Sequence, residues 1–238
     1  IGKRVLVEFG RRKLVGIVTS QSENFDDDYK LKQIEEVLDD SPLIDKQLLK
    51  KINNISDYYM HPIGIVFESF IPSFLRKAKH QRTLEKYEIR ISSDKAIKNF
   101  HTLTRDQKNV LNSIKSKDSG EILLSGITSS GKTEVYKHFI KELLNKGKSA
   151  LVLVPEIFLT PQIFNDFQNT FGNKVLLNHS GLTPLQRIKV WLASQDKNPK
   201  IIIGTRSSIF LPISNLGGII FDEEHDQSYK PVSYTHLR

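Results

Sequence analysis

The chain has no cysteine among its 238 residues. That excludes disulfides and any thiolate-bound zinc within these residues, and it fits a cytosolic protein. A long hydrophobic run is also missing: no apolar stretch approaches the ~20 residues that a membrane-spanning helix requires. The opening Ile1-Gly2-Lys3-Arg4 is neither a leader nor an initiator sequence, so the chain reads as a piece whose beginning is missing. Excess charge is absent from most of the length. Residues 1–75 hold 10 Lys/Arg against 12 Asp/Glu, residues 118–238 hold 13 against 11, and residues 76–117 hold 12 against 4. Nearly the whole net charge of +8 therefore lies in one stretch around Arg76-Lys77-Ala78-Lys79-His80-Gln81-Arg82. That stretch is either a solvated basic linker or a segment lying near phosphate backbone.

Two motifs carry chemistry. Gly126-Ile127-Thr128-Ser129-Ser130-Gly131-Lys132-Thr133 is a complete G-x-x-x-x-G-K-[ST] phosphate loop. Its glycines let the backbone close around phosphates, and its N–H groups and the helix start behind it supply positive potential. Lys132 is expected to reach the β- and γ-phosphates of ATP, and the Thr133 hydroxyl to bind Mg²⁺. Further on, an apolar strand ends in Asp222-Glu223-Glu224-His225, the form of the acidic box of nucleotide-driven motors. Asp222 is expected at the metal or its water shell, and Glu223 is the candidate for polarising the attacking water. Only its place in the box singles out His225.

From Leu103 onward short apolar strands alternate with amphipathic helices, the pattern of an α/β protein with a parallel sheet. Strands are expected at Glu121–Ser125, Ala150–Val154, Val175–Leu177, Ile201–Ile203 and Gly218–Phe221. Helices are expected over Thr133–Lys146, after Thr160-Pro161 and after Thr183-Pro184, the last carrying Leu185, Ile188, Trp191 and Leu192 on one side. Both chemical motifs fall at strand ends, where open α/β sheets hold their ligands. Residues 1–75 read as a small separate domain. Val5, Val7 and Phe9 alternate, a Gly-Arg-Arg-Lys turn follows and Leu14–Val18 returns. Ser41-Pro42 is expected to open a helix that ends before Pro62.

At this point the residues resemble a known family. Gly126–Tyr136 (GITSSGKTEVY), Leu151–Gln162 (LVLVPEIFLTPQ), His179-Ser180-Gly181-Leu182, Ile203–Phe210 (IGTRSSIF) and Phe221–Lys230 (FDEEHDQSYK) are similar, in order and spacing, to the first helicase lobe of the PriA family. These are bacterial replication-restart helicases, superfamily 2 translocases with 3′→5′ polarity. Arg4–Val18, Glu36–Leu38 and Tyr58–Ile65 resemble that family's small β-rich amino-terminal domain, which recognises the 3′ end of a nascent strand. The resemblance implies a RecA-like first lobe at 103–230, a 3′-end DNA-binding domain at 1–75, a basic linker at 76–102 and an unrelated tail at 231–238. It implies an ATP-dependent DNA helicase of replication restart and primosome assembly, with forked and single-stranded DNA as partners. Single-strand-binding protein and helicase-loading primosome proteins are the implied protein partners, and the bacterial cytoplasm and nucleoid the implied location.

Position by position, the resemblance implies that Gln107 reads the adenine edge, that Thr205 and Arg206 contact phosphates of the tracked strand, and that Gly10 and Lys32 help form the 3′-end pocket. On residue type alone Gln107 is an ordinary helix residue, Gly10 a hairpin turn and Lys32 a surface charge. His179 and Ser180 read as loop residues. The chain departs from the family in lacking its extreme amino terminus, in having too few residues at 76–102 for the usual winged helix, and in stopping at Arg238. The zinc expected of the full-length family and the second lobe would lie beyond that point, so the isolated chain is expected to turn ATP over poorly. Two other readings stand beside the leading one: a DNA-end-binding module with an ATP site that cannot turn over alone, and another superfamily 2 translocase.

Overall fold

The computed structural model describes residues 1–22, 31–87, 100–117, 119–127, 130–156, 159 and 161–229. Thr128 and Ser129 of the loop, the cap at Thr160, residues 88–99 of the 76–102 segment and the tail at 231–238 lie outside them. The chain divides into two units, Ile1–Ile89 with Leu182–Leu192, and Arg90–Gly181 with Ala193–Arg238.

In the first unit, β1 (Arg4–Phe9), β2 (Arg12–Ile17) and β3 (Ile34–Val37) form an antiparallel sheet in the order β2-β1-β3. The β1–β2 turn is tighter than the four residues read from sequence. Phe9 pairs with Arg12, leaving only Gly10-Arg11, and Gly10 takes φ +63°, a conformation that two-residue hairpins need and that costs glycine nothing. Helix α1 (Lys46–Tyr59) starts later than expected. Its cap is Asp45, whose carboxylate accepts the Leu48 N–H at 2.7 Å, because Leu43 and Ile44 before it are drawn into the core. Helix α2 (Ile63–Phe70) and β3 were not foreseen, being too short to show a clear period.

Two buried polar contacts organise this unit. Arg4, in β1, is buried, and its guanidinium meets both oxygens of Asp39 while donating to Leu75 O at 2.9 Å and Lys79 O at 3.1 Å. A buried charge is tolerable only when paired and hydrogen-bonded in this way. The contact also pins the start of the basic stretch. Gln81 N–H donates to Leu38 O at 2.9 Å, Leu84 is buried, Arg76 pairs with Glu68 at 3.2 Å and Arg82 with Asp40 at 3.0 Å. The second contact involves residues distant in sequence. Trp191, only 1% exposed, donates its indole N–H to Phe70 O at 2.7 Å, closing the end of α2.

The second unit is built on a parallel sheet in the order β5-β6-β4-β7: β4 (Ser149–Leu153), β5 (Val175–Asn178), β6 (Ile201–Gly204) and β7 (Leu216–Phe221). β4 is buried along its whole length, as a central parallel strand must be. Helices α3 (Arg105–Lys115), α4 (Lys132–Asn145) and α5 (Pro161–Phe171) belong to this unit. Residues of α4 and α5, among them Tyr136, Ile140, Phe167 and Phe171, join the core with Val152 and Ile203 of the sheet. Helix α6 (Pro184–Gln195) begins at Thr183-Pro184 as expected; Thr183 and Gln186 exchange hydrogen bonds at 3.3 and 2.9 Å in a capping box. One expectation fails. Glu121–Ser125 pairs with no strand among the described residues, and Leu123 is 74% exposed. Its sequence has strand character, but a strand exists only through a hydrogen-bonded neighbour.

Candidate functional site

The loop is arranged by its own backbone. Gly131 stands at the start of α4 with φ +81°, and a Cβ there would lie 2.4 Å from Gln107 Nε2, so position 131 needs glycine for both conformation and space. Lys132 donates from Nζ to Gly126 O at 2.9 Å, folded back over the loop. Ile127 is exposed, and its carbonyl accepts the Ser130 N–H at 3.2 Å. Gln107 is engaged at both ends of its amide. Its Oε1 accepts the Thr104 N–H at 2.9 Å, completing the capping box of α3, and its Nε2 donates to Ser130 O at 3.0 Å. The side chain thereby ties α3 to the loop.

Asp222 follows the last residue of β7, its N–H donating to Leu153 O at 2.9 Å. This places its carboxylate at the carboxyl end of the sheet. Thr133, one residue into α4, and Asp222 are linked by a third side chain: the Tyr136 hydroxyl lies 3.2 Å from Thr133 Oγ1 and 3.2 Å from Asp222 Oδ2. Tyr229 clamps the same region: its hydroxyl lies 2.7 Å from Leu153 O and 2.8 Å from Asp222 O, its single proton shared between the two carbonyls, and its ring is edge-on to Phe221. Sequence reasoning assigned a role to neither tyrosine. Both stand inside the quoted motif segments, but nothing in the sequence sets their hydroxyls apart from those of other tyrosines, since their partners are known only from the fold.

Burial pushes the Asp222 carboxyl above its ordinary value; the Tyr136 hydrogen bond opposes this, and the neighbouring Glu223 charge adds to it. Burial, together with Asp222, likewise pushes the Tyr136 phenol up, so it is a neutral donor at any physiological pH. Glu223 sits in the left-handed region at φ +50°, an unusual conformation for a residue with a Cβ. His225 points outward, 75% exposed, 3.7 Å from Glu223 Oε2. Thr133 and Asp222 supply a hydroxyl and a carboxylate oxygen, hard donors suited to a small divalent cation whose remaining positions are filled by phosphate and water. The donor set fits Mg²⁺.

The other sequence candidates lie elsewhere. Thr205, after β6, is buried, with its N–H on Asn178 O at 3.3 Å. Arg206 is exposed and donates to Ser228 O at 3.2 Å. In the first unit, Lys32 Nζ reaches Glu8 O at 3.4 Å, which brings it to the hairpin that Gly10 turns. Among the described residues no helix is long and apolar enough to cross a membrane.

Comparison with known proteins places these features in context. Residues 1–72 match the model of the 3′ DNA-binding domain (3′BD) of PriA, and residues 104–236 match the DEAD/DEAH box helicase model. Replication restart protein PriA of Rickettsia felis is 34% identical over 232 residues, 97% of this chain and 34% of that protein. The protein of the same name from Treponema pallidum is 34% identical over 238 residues, 97% of this chain and 35% of its own length. That of Haemophilus influenzae is 53% identical over 108 residues, 45% of this chain and 15% of its own length. The chain spans about a third of the length of the first two relatives.

Proposed function

The chain belongs to the DEAD/DEAH box helicases, in the PriA family of replication restart proteins, and on that premise we propose that it carries the ATP-binding lobe and 3′-end-binding domain of a DNA translocase. Family membership implies use of ATP and Mg²⁺. The observation that carries the reading for this chain is the convergence of Thr133 and Asp222 on one tyrosine hydroxyl beside the phosphate loop.

In this reading the loop N–H groups and the start of α4 receive the phosphates of ATP. Lys132 exchanges Gly126 O for the β- and γ-phosphates, a substitution that trades an ammonium–carbonyl hydrogen bond for contacts between opposite charges. Thr133 and Asp222 hold Mg²⁺, which when bound neutralises phosphate charge. Glu223, next to Asp222, orients and deprotonates the attacking water, and the exposed His225 serves as its polar neighbour. Gln107 reads adenine while its capping role holds α3 against the loop. Exposed Arg206 contacts the phosphates of the tracked strand, and buried Thr205 shapes the turn that presents it. Gly10 and Lys32 form part of the pocket for a 3′ end. Translocation 3′→5′, partnership with single-strand-binding and helicase-loading proteins, zinc outside these residues and a place in the bacterial nucleoid follow as properties of the whole protein.

The direct test is titration of the chain with a fluorescent ADP analogue in Mg²⁺. Lys132→Ala should abolish binding; retention of wild-type affinity would remove the loop from the site.

A further inference from the structure

Tyr136 lies outside both the phosphate loop at 126–133 and the acidic box at 222–225, yet its hydroxyl lies between Thr133 of the one and Asp222 of the other. It is one turn into α4 and 8% exposed. Its ring is held in the core, stacked on Phe167 with centroids 6.3 Å apart and planes 18° from parallel. Lys137 beside it is buried in ion pairs with Glu134 at 3.1 Å and Asp166 at 2.7 Å, so the backbone that carries the tyrosine is fixed from both sides. The hydroxyl is the one polar atom of this ring, and both its neighbours are the oxygens assigned above to the cation. A phenol has one proton, and a carboxylate can only accept. The order of donation is therefore Thr133 O–H to Tyr136 oxygen, and Tyr136 O–H to Asp222 Oδ2.

We propose that Tyr136 is a positioning residue for the cation that accompanies the nucleotide. Resting on the assignment of Thr133 and Asp222, the inference is that the phenol holds these two donors, 89 positions apart in the chain, at a fixed separation before the cation arrives. Two effects follow. The hydrogen bond to Asp222 orients one carboxylate oxygen and leaves the other available. The acceptor role toward Thr133 aims that hydroxyl's lone pairs away from the phenol, toward the loop. Outer-shell partners of this kind affect metal affinity by about 10- to 100-fold in other sites. Tyr229 holds the Asp222 backbone in place, so loss of the phenol frees the carboxylate rotamer without moving the strand.

Tyr136→Phe keeps the ring and its stacking and removes only the oxygen. The test measures the affinity of a fluorescent ADP analogue against Mg²⁺ concentration, with a parallel series in EDTA and a thermal melt. The expected result is about a tenfold rise in the Mg²⁺ concentration giving half-maximal enhancement, with EDTA affinity unchanged and partial recovery in Mn²⁺, which binds such ligands more tightly. Tyr136→Leu, which also removes the ring, should instead lower the melting temperature. In an Asp222→Asn background, Tyr136→Phe should add nothing. If the wild type shows Mg²⁺-enhanced binding and Tyr136→Phe matches it, or if the two substitutions act additively, the proposal is overturned and the site assignment stands. If the wild type shows no Mg²⁺ enhancement at all, the assignment of Thr133 and Asp222 fails and the proposal falls with it.

Discussion

At the scale of single residues, Asp222, the carboxylate proposed for the cation, shows what burying an acid costs the fold that carries it. Its carboxyl is pushed above its ordinary value chiefly by burial, so the ionised form is disfavoured in the native state. Stability therefore falls as pH rises through the unfolded and then the folded value, and the full cost is present at neutral pH. Asp222→Asn should melt at a higher temperature than wild type at pH 7–8, and this difference should shrink as pH falls toward 4, while Mg²⁺-enhanced nucleotide binding is lost. A melt that is lower at neutral pH would show the charge to be stabilising instead. Glu223 is strained in another way: its φ of +50° persists only because the surrounding turn imposes it, and Asp226 N–H closes that turn on Glu223 O at 2.9 Å. In the full-length protein, Glu223→Gln should keep nucleotide affinity and lose turnover; hydrolysis at the wild-type rate would take Glu223 off the catalytic list. The loop and the acidic box could be read from sequence because their chemistry lies in consecutive residues. Tyr136 could not, because its role is set by a partner 86 positions away.

At the scale of elements, caps and edges decide how much of the fold was readable. Thr104 and Gln107 form a reciprocal cap on α3, and Gln107 also anchors Ser130. Thr104→Ala should lower stability by about 1 kcal/mol in a denaturant titration and weaken nucleotide binding by loosening Gln107. If stability does not change, the cap contributes nothing. The cap of α6 was readable because Thr183-Pro184 carries its signal locally. Ser41-Pro42 carried the same signal, but burial of Leu43 and Ile44 moved the start of α1 to Asp45. Strand pairing was least readable. Glu121–Ser125 has a strand's composition and no partner among the described residues, whereas Ile34–Val37, half polar and short, pairs with β1. β7 forms one edge of its sheet, with Ile219 and Phe221 exposed. Composition reports what a strand could bury, and a neighbour decides whether it does so.

At the scale of the whole molecule, charge and chain order matter most. Four residues of the basic stretch would contribute a salt slope of about 2.8 to single-strand binding if each met a phosphate. Arg76 and Arg82 are instead paired with Glu68 and Asp40. Neutralising Arg76, Lys77, Lys79 and Arg82 together should therefore lower the slope of log affinity against log salt by only about 1–1.5. A fall near 2.8 would mean that DNA displaces both acids, and no fall would return the stretch to a solvated face. The allegiance of α6 was not legible, since its apolar stripe of Ile188 and Trp191 looks like any core-facing stripe until its partner is known. That allegiance bears on how the protein is made. The indole that closes Phe70 O leaves the ribosome long after α2 does. At the usual ~5–20 residues per second, the intervening residues take roughly 6–24 s to synthesise. Through that interval the first unit waits for the indole that closes α2, which is translated only after β4 and β5 have been made.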